Sequence, residues 1–117
     1  MAGEIRQNRV ANAIKRFIGS HLLSEYGDTP VSTVTVNEVI MTPDLRLAKI
    51  FYSTFDKKEN EAVKEILETN IKTIRFKLAK HLKSLKFVPE IKFIYDDSVE
   101  RIIRLEKIFE EIKSKAE

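Results

Sequence analysis

The 117-residue chain has no cysteine and no tryptophan, and only three glycines, three prolines and two histidines. Without cysteine there is no disulfide scaffold, no thiol nucleophile and no cysteine metal site. His21 and His81 stand sixty residues apart with no ligand cluster around either, so a metal centre is not expected. Gly3, Gly19 and Gly27 all fall in the first 27 residues, and neither G-x-x-x-x-G-K nor G-x-G-x-x-G can be written. None of the seven serines sits in a G-x-S-x-G elbow. Asp96, Asp97 and Glu100 are what turn and capping chemistry places between a strand and a helix. The expectation is a protein with no catalytic residues, no cofactor and no metal. Apolar runs are short as well, about three residues in Val39–Met41 and Ile50–Tyr52, where a membrane span needs about twenty. The N-terminus lacks a signal-peptide core. These absences predict a soluble protein, and the lack of cysteine is compatible with a reducing cytosol without settling the compartment.

What is present is 43% hydrophobic and 33% charged, a composition that folds and does not stay disordered. The length suits one domain, 1–117, with an ordered core over about 6–112. Net charge is only +3, but it is unevenly placed. From Asn70 to Pro89 the chain carries Lys72, Arg75, Lys77, Lys80, Lys83 and Lys86 and no acid, so the other 97 residues are net −3. A positive element of this kind steers a polyanion to one face with salt-dependent affinity. A solvated helix with a chance excess of lysine reads the same way. Arg6 and Arg9 make a smaller positive patch.

Periodicity predicts a helix over 6–24, with Val10, Ala13, Ile14, Phe17, Ile18, His21 and Leu22 on one face. Gly19 within it either costs helix propensity or marks close packing. Residues 31–41 alternate as a strand, and the alternation slips at Asn37–Glu38 as a bulge would make it slip. Thr42, Pro43 and Asp44 turn the chain into a second strand, 45–53. A helix over 56–68 is capped by Asp56, with Glu59 completing a capping box. The next helix begins after Thr69 and Asn70, where a break or kink is expected, with Asn70 capping this later helix. A third strand covers 87–95, and a last helix covers 98–114. The wide apolar arc of that helix (Val99, Ile102, Ile103, Leu105, Ile108, Phe109, Ile112) calls for burial or a partner.

Helix, strand, strand, helix, helix, strand, helix is an α+β order that one three-stranded sheet with helices on one face satisfies. It points to a KH-type domain, whose usual GXXG clamp grips backbone nucleotides. The junction Thr69-Asn70-Ile71-Lys72 has no glycine, leaving a basic helix surface for phosphate contact with structured RNA. Arg75 has a second reading, lying over Tyr95 or pairing with a neighbouring carboxylate such as Asp97. Phe51, Phe87 and Phe93 are candidate base platforms, though core packing accounts for them better. A protein–protein adaptor working through the final helix is the alternative from another class.

Thr42-Pro43-Asp44-Leu45 followed by Ala48-Lys49-Ile50-Phe51-Tyr52, then Ile74-Arg75, then Phe87-Val88-Pro89-Glu90-Ile91-Lys92-Phe93 and Tyr95-Asp96-Asp97-Ser98 resemble the ribosome-binding factor A family. The opening Arg6-Gln7-Asn8-Arg9-Val10 with Ile14 is similar too, so the likeness covers nearly the whole chain. It implies a type II KH-like fold and a non-enzymatic, cytoplasmic bacterial or organellar assembly factor. Such a factor binds the small (30S) ribosomal subunit, acts on late maturation of its 16S rRNA and supports growth in the cold. It would be monomeric off the ribosome. The family's Ala-x-Gly kink falls on Asn70-Ile71-Lys72, with Asn70 for the Ala and Lys72 for the Gly. The family's contact region includes the basic surface around the second KH helix, and the charge pattern itself puts RNA contacts on Lys72, Arg75, Lys77, Lys80, Lys83 and Lys86, which helical spacing keeps from all touching at once, with Arg6, Arg9, Arg46 and Lys49 as additions if they lie near the same face.

Overall fold

The computed structural model describes residues 2–82, 85 and 87–116. Helix α1, Ala2–Glu25, is followed by strands β1, Val34–Met41, and β2, Leu47–Thr54. Helices α2, Asn60–Thr69, and α3, Ile71–His81, lead to β3, Glu90–Tyr95, and α4, Ser98–Ala116. The sheet runs β1-β2-β3, with β1 antiparallel and β3 parallel to the central strand. This is the expected α+β, KH-like order.

One face of the sheet carries the core. Met41, Ala48 and Ile91 lie in one cross-strand row, and Val39, Ile50 and Phe93 in the next. Against them pack Ala11, Ile14, Ile18 and Leu22 of α1, Val63 and Leu67 of α2, and Ile74 and Leu78 of α3. Each fully buried Ile or Leu among these contributes about 1.5–3 kcal/mol by leaving water. Leu47, Lys49 and Phe51 turn to the other face, as strand alternation requires.

The expected bulge is present. Val36 opposes Tyr52 and Glu38 opposes Phe51, so Asn37 is the extra residue. Its amide donates to Asp96 (3.0 Å) and accepts from the Ser53 hydroxyl (3.4 Å), so side-chain bonds hold the irregular point.

Helix α1 starts at Ala2 and not at 6, β2 runs Leu47–Thr54 and not 45–53, and three further boundaries differ for reasons that local chemistry supplies. Val31–Thr33 is not strand: Pro30–Thr33 forms a 3-10 turn. Pro30 presets φ, the Thr29 hydroxyl accepts from the Val31 N–H (3.2 Å), and the Thr33 hydroxyl donates to the Pro30 carbonyl (2.7 Å). These local bonds outweigh β-propensity. Asp56 does cap, but it accepts from Lys58 N–H (3.0 Å) and starts a 3-10 turn over Lys57–Glu59, one turn before α2. β3 begins at Glu90 and not at 87, because Pro89 has no N–H to give to a ladder.

Two alternatives left open by the sequence are narrowed as well. A Cβ at Gly19 would meet nothing within 4 Å, so this glycine marks no close approach. Helix α4 buries little against the rest of the chain: Ile102, Ile103, Leu105, Ile108, Phe109 and Ile112 are 47–67% exposed. No described helix is long and apolar enough to cross a membrane.

Candidate nucleic-acid interface

Asn70 divides the two middle helices. Its backbone (φ −102°, ψ 7°) ends α2 and begins α3. The expected break is therefore at this residue, but the side chain works backwards. Its amide donates to the Ile66 carbonyl (2.8 Å), and so does its backbone N–H (3.1 Å). Asn70 thus satisfies an orphan carbonyl of α2 and does not cap α3. It needs no positive φ, so the junction forms without glycine.

Beyond this break α3 buries Ile74 and Leu78 and turns other rows outward. Lys72, Phe76 and Lys80 are four residues apart and form one exposed ridge. The Lys80 ammonium lies 4.7 Å from the centroid of the Phe76 ring, a cation–π contact. Neither Lys72 nor Lys80 has a carboxylate at ion-pair distance among the described residues.

Arg75 is differently placed. Its Nε–H donates to the Pro89 carbonyl (3.0 Å) and its Nη2–H to that of Val88 (2.9 Å), and Glu90 lies 3.4 Å away. The guanidinium pins α3 to the start of β3. The expected pairing with a neighbouring carboxylate is present, with Glu90 as the partner in place of Asp97. Lys77 faces α1, where Glu25 approaches to 3.6 Å.

Along the same α1–α3 seam the Phe17 ring stacks between His21 (5.3 Å) and His81 (4.9 Å). His21 is buried, and its Nε2 has no hydrogen-bond partner among the described residues. Burial lowers its pKa, Glu25 opposes that shift and Lys77 adds to it.

Between α3 and residues 87–91 runs a groove of about 820 Å³, with Ile71, Phe76 and Ala79 on one wall and Phe87 and Val88 on the other. Phe87, expected in the core, is 61% exposed, and the Arg46 guanidinium lies 5.6 Å from its ring centroid. Arg46 reaches this place because the turn before β2 is tightly bonded. The Thr42 hydroxyl donates to Asp44 (2.6 Å), and Asp44 accepts from the Arg46 N–H (3.0 Å). These bonds hold the Asp44 carboxyl below its ordinary pKa, the Thr42 bond most. Leu45 takes φ 60° in the same turn, a costly conformation for a residue with a Cβ.

The structure therefore gathers Lys72, Lys80, Arg75 and Arg46 around one groove. Lys49 points to the opposite sheet face, in register with Ile40 and Lys92. Arg6 and Arg9 lie on α1 about 12 Å or more beyond Phe17, where His81 ends α3. Lys83 and Lys86 lie outside the described residues. The sequence reading passed over Phe76, although its place midway between two lysines at helical spacing was visible.

The profile of the family described as ribosome-binding factor A matches residues 6–109. The ribosome-binding factor A of Coprothermobacter proteolyticus is 33% identical over 97% of this chain and 82% of its own length. That of Coxiella burnetii is 33% identical over 90% and 87%. Among solved structures, the crystal structure of Thermus thermophilus ribosome-binding factor A superposes with a TM-score of 0.66. It is 16% identical, over 76% of this chain and 94% of that one. A Thermus thermophilus ribosome-binding factor A homology model, fitted into the cryo-electron-microscopy map of its complex with the 30S subunit, gives 0.57. Its identity is 15%, over 73% and 89%. At these identities the two structures speak for the fold alone. The sequence matches, covering nearly the whole chain, show that this protein belongs to the ribosome-binding factor A family.

Proposed function

We propose that the protein docks on the immature small ribosomal subunit through the outer ridge of α3 and assists late maturation of its 16S rRNA. It does so as one KH-like unit, monomeric off the ribosome, in the cytoplasm, with no bond made or broken. The observation that carries this reading is the exposed Lys72–Phe76–Lys80 ridge, with two cations that no described carboxylate neutralises. Family membership and the small-subunit complex of the Thermus relative support the choice of partner. Binding energy would favour one RNA arrangement over another, which is all an assembly factor of this kind requires.

Because Arg75 and Lys77 hold the fold, fewer cations reach phosphate than the sequence count of six. Lys72, Lys80 and Arg46, with one further contact, give a slope of log affinity on log salt of roughly −3 to −3.5. The test is sedimentation with purified precursor and mature small subunits at low and moderate salt. Co-sedimentation that weakens with salt and with Lys72→Glu/Lys80→Glu supports the reading; failure of the wild type to sediment at low salt rejects it. The adaptor reading retains one observation, the exposed apolar side of α4. It predicts a concentration-dependent mass and subunit binding that ignores the α3 charges.

A further inference from the structure

The sheet has two edges, and their surroundings carry opposite charge. The β3 edge borders the positive groove beside α3. The β1 edge borders a smaller trough of about 360 Å³, walled by Glu4, Gln7, Asn8 and Ala11 of α1 and by residues 38–41. Glu4 and Glu38 line it, and no basic residue does. Among the described residues no cation lies at ion-pair distance from either carboxylate. Arg6 and Arg9 leave α1 on the side away from Glu4 and Ala11, as helical spacing requires.

The β1 edge is also open along its backbone. The Thr42 N–H donates to the Leu47 carbonyl (3.0 Å). In an antiparallel ladder the bonded pairs then fall at every second residue, at Ile40–Lys49 and Glu38–Phe51. Val39 and Met41 between them aim their N–H and C=O groups outward, into the trough. The Gln7 amide marks that direction, donating to the Met41 carbonyl at 3.5 Å. The N–H and C=O of Val39 and the N–H of Met41 have no partner among the described residues. Such an edge is a template for another strand.

We infer that this edge takes an extended, lysine- or arginine-rich segment of another protein, added beside β1 as a fourth strand over residues 38–41. The segment's main chain pairs with Val39 and Met41, the usual source of affinity in strand addition. Its side chains alternate between two faces. A basic residue on one face meets Glu4 and Asn8 of α1; one on the other meets Glu38, with an apolar neighbour over Ile40, which is 44% exposed. Charge selects this occupant. A nucleic acid would bring phosphates against two carboxylates. A second copy of this chain, paired edge to edge, would set its acids against the same acids. The bulge at Asn37 ends the regular ladder, so the added strand is short. The inference is independent of the α3 reading and concerns the opposite edge of the sheet.

The test uses three short, end-capped peptides. One is made of lysines and valines, one is the same peptide N-methylated throughout so that it cannot pair as a strand, and one has glutamate for lysine. Fluorescence anisotropy gives the affinity, and amide hydrogen exchange gives the place. The wild type should hold the first peptide about 10-fold or more tighter than either of the others. On binding, exchange should slow at the Val39 and Met41 amides and stay unchanged at Ile40, whose N–H already bonds to β2. Glu4→Gln/Glu38→Gln should weaken binding about 5-fold. Glu106→Gln/Glu110→Gln removes the same charge from α4 and should leave affinity within about 2-fold. All four glutamates are exposed, and a thermal melt checks that the variants are folded. No binding of the first peptide, equal affinity for its methylated form, protection that misses Val39 and Met41, or equal losses from the two pairs of substitutions overturns the inference.

Discussion

Arg75 and Lys80 lie five residues apart on one helix and carry the same charge, but their surroundings differ. Arg75 turns inward to two backbone carbonyls and Glu90, closing the gap between α3 and β3. Lys80 turns outward over an exposed phenylalanine. Guanidinium geometry explains the division: a planar fork can bond several carbonyls at once, whereas an ammonium is a point charge on a flexible stem. Counting cations in a segment therefore overstates a binding site when some of them hold the fold. On α3 the inner and lateral positions carry structure, and the Lys72–Phe76–Lys80 row is left for a partner.

Substitutions on the two sides of α3 should separate cleanly. The largest effect belongs to the buried row: Ile74→Ala should lose about 2–5 kcal/mol in urea unfolding by opening a cavity. Next, Arg75→Ala should lose about 1–2 kcal/mol, since it leaves the Val88 and Pro89 carbonyls without their charged donor. Its salt slope for RNA binding should hardly move. Lys80→Gln should reverse this pattern, changing stability by about 0.5 kcal/mol or less and lowering the slope by about one unit. If Arg75→Ala and Lys80→Gln behave alike in both assays, the division is wrong.

Away from α3, Gly19→Ala should raise stability by about 0.5–1 kcal/mol, because the site is helical and its surroundings are open. A smaller effect concerns pH. The folded state lowers the pKa of His21, so the unfolded chain takes up its proton first as pH falls. The stability associated with neutral His21 is complete above its ordinary value of 6.5 and declines below it, down to the folded pKa. His21→Phe should flatten that part of a stability-against-pH curve.

Much of this fold can be read from the sequence, because local pattern and tertiary structure agree. The slip in alternation at Asn37 is a bulge, and the poor helix formers at Thr69–Asn70 mark a real break. The misses occur where a non-local partner or a competing local bond decides. The hydroxyls of Thr29 and Thr33 tighten Val31–Thr33 into a 3-10 turn despite its β-branched residues. Nothing near Arg75 in sequence shows that it will reach Pro89, fourteen residues on. Phe87 reads as core from its apolar neighbours, yet Pro89 occupies the buried position and Phe87 is left outside. The ridge itself was legible as charge at helical spacing, but not which cations would be tied down.

The most direct test is the salt dependence of binding to purified small subunits, measured for the wild type, for Lys72→Gln/Lys80→Gln and for Arg6→Gln/Arg9→Gln. Each pair of substitutions removes two positive charges from the chain. The account predicts that the α3 pair lowers the slope by about two units and the α1 pair leaves it nearly unchanged. Equal losses from both pairs would mean that net charge, and not the α3 ridge, governs binding.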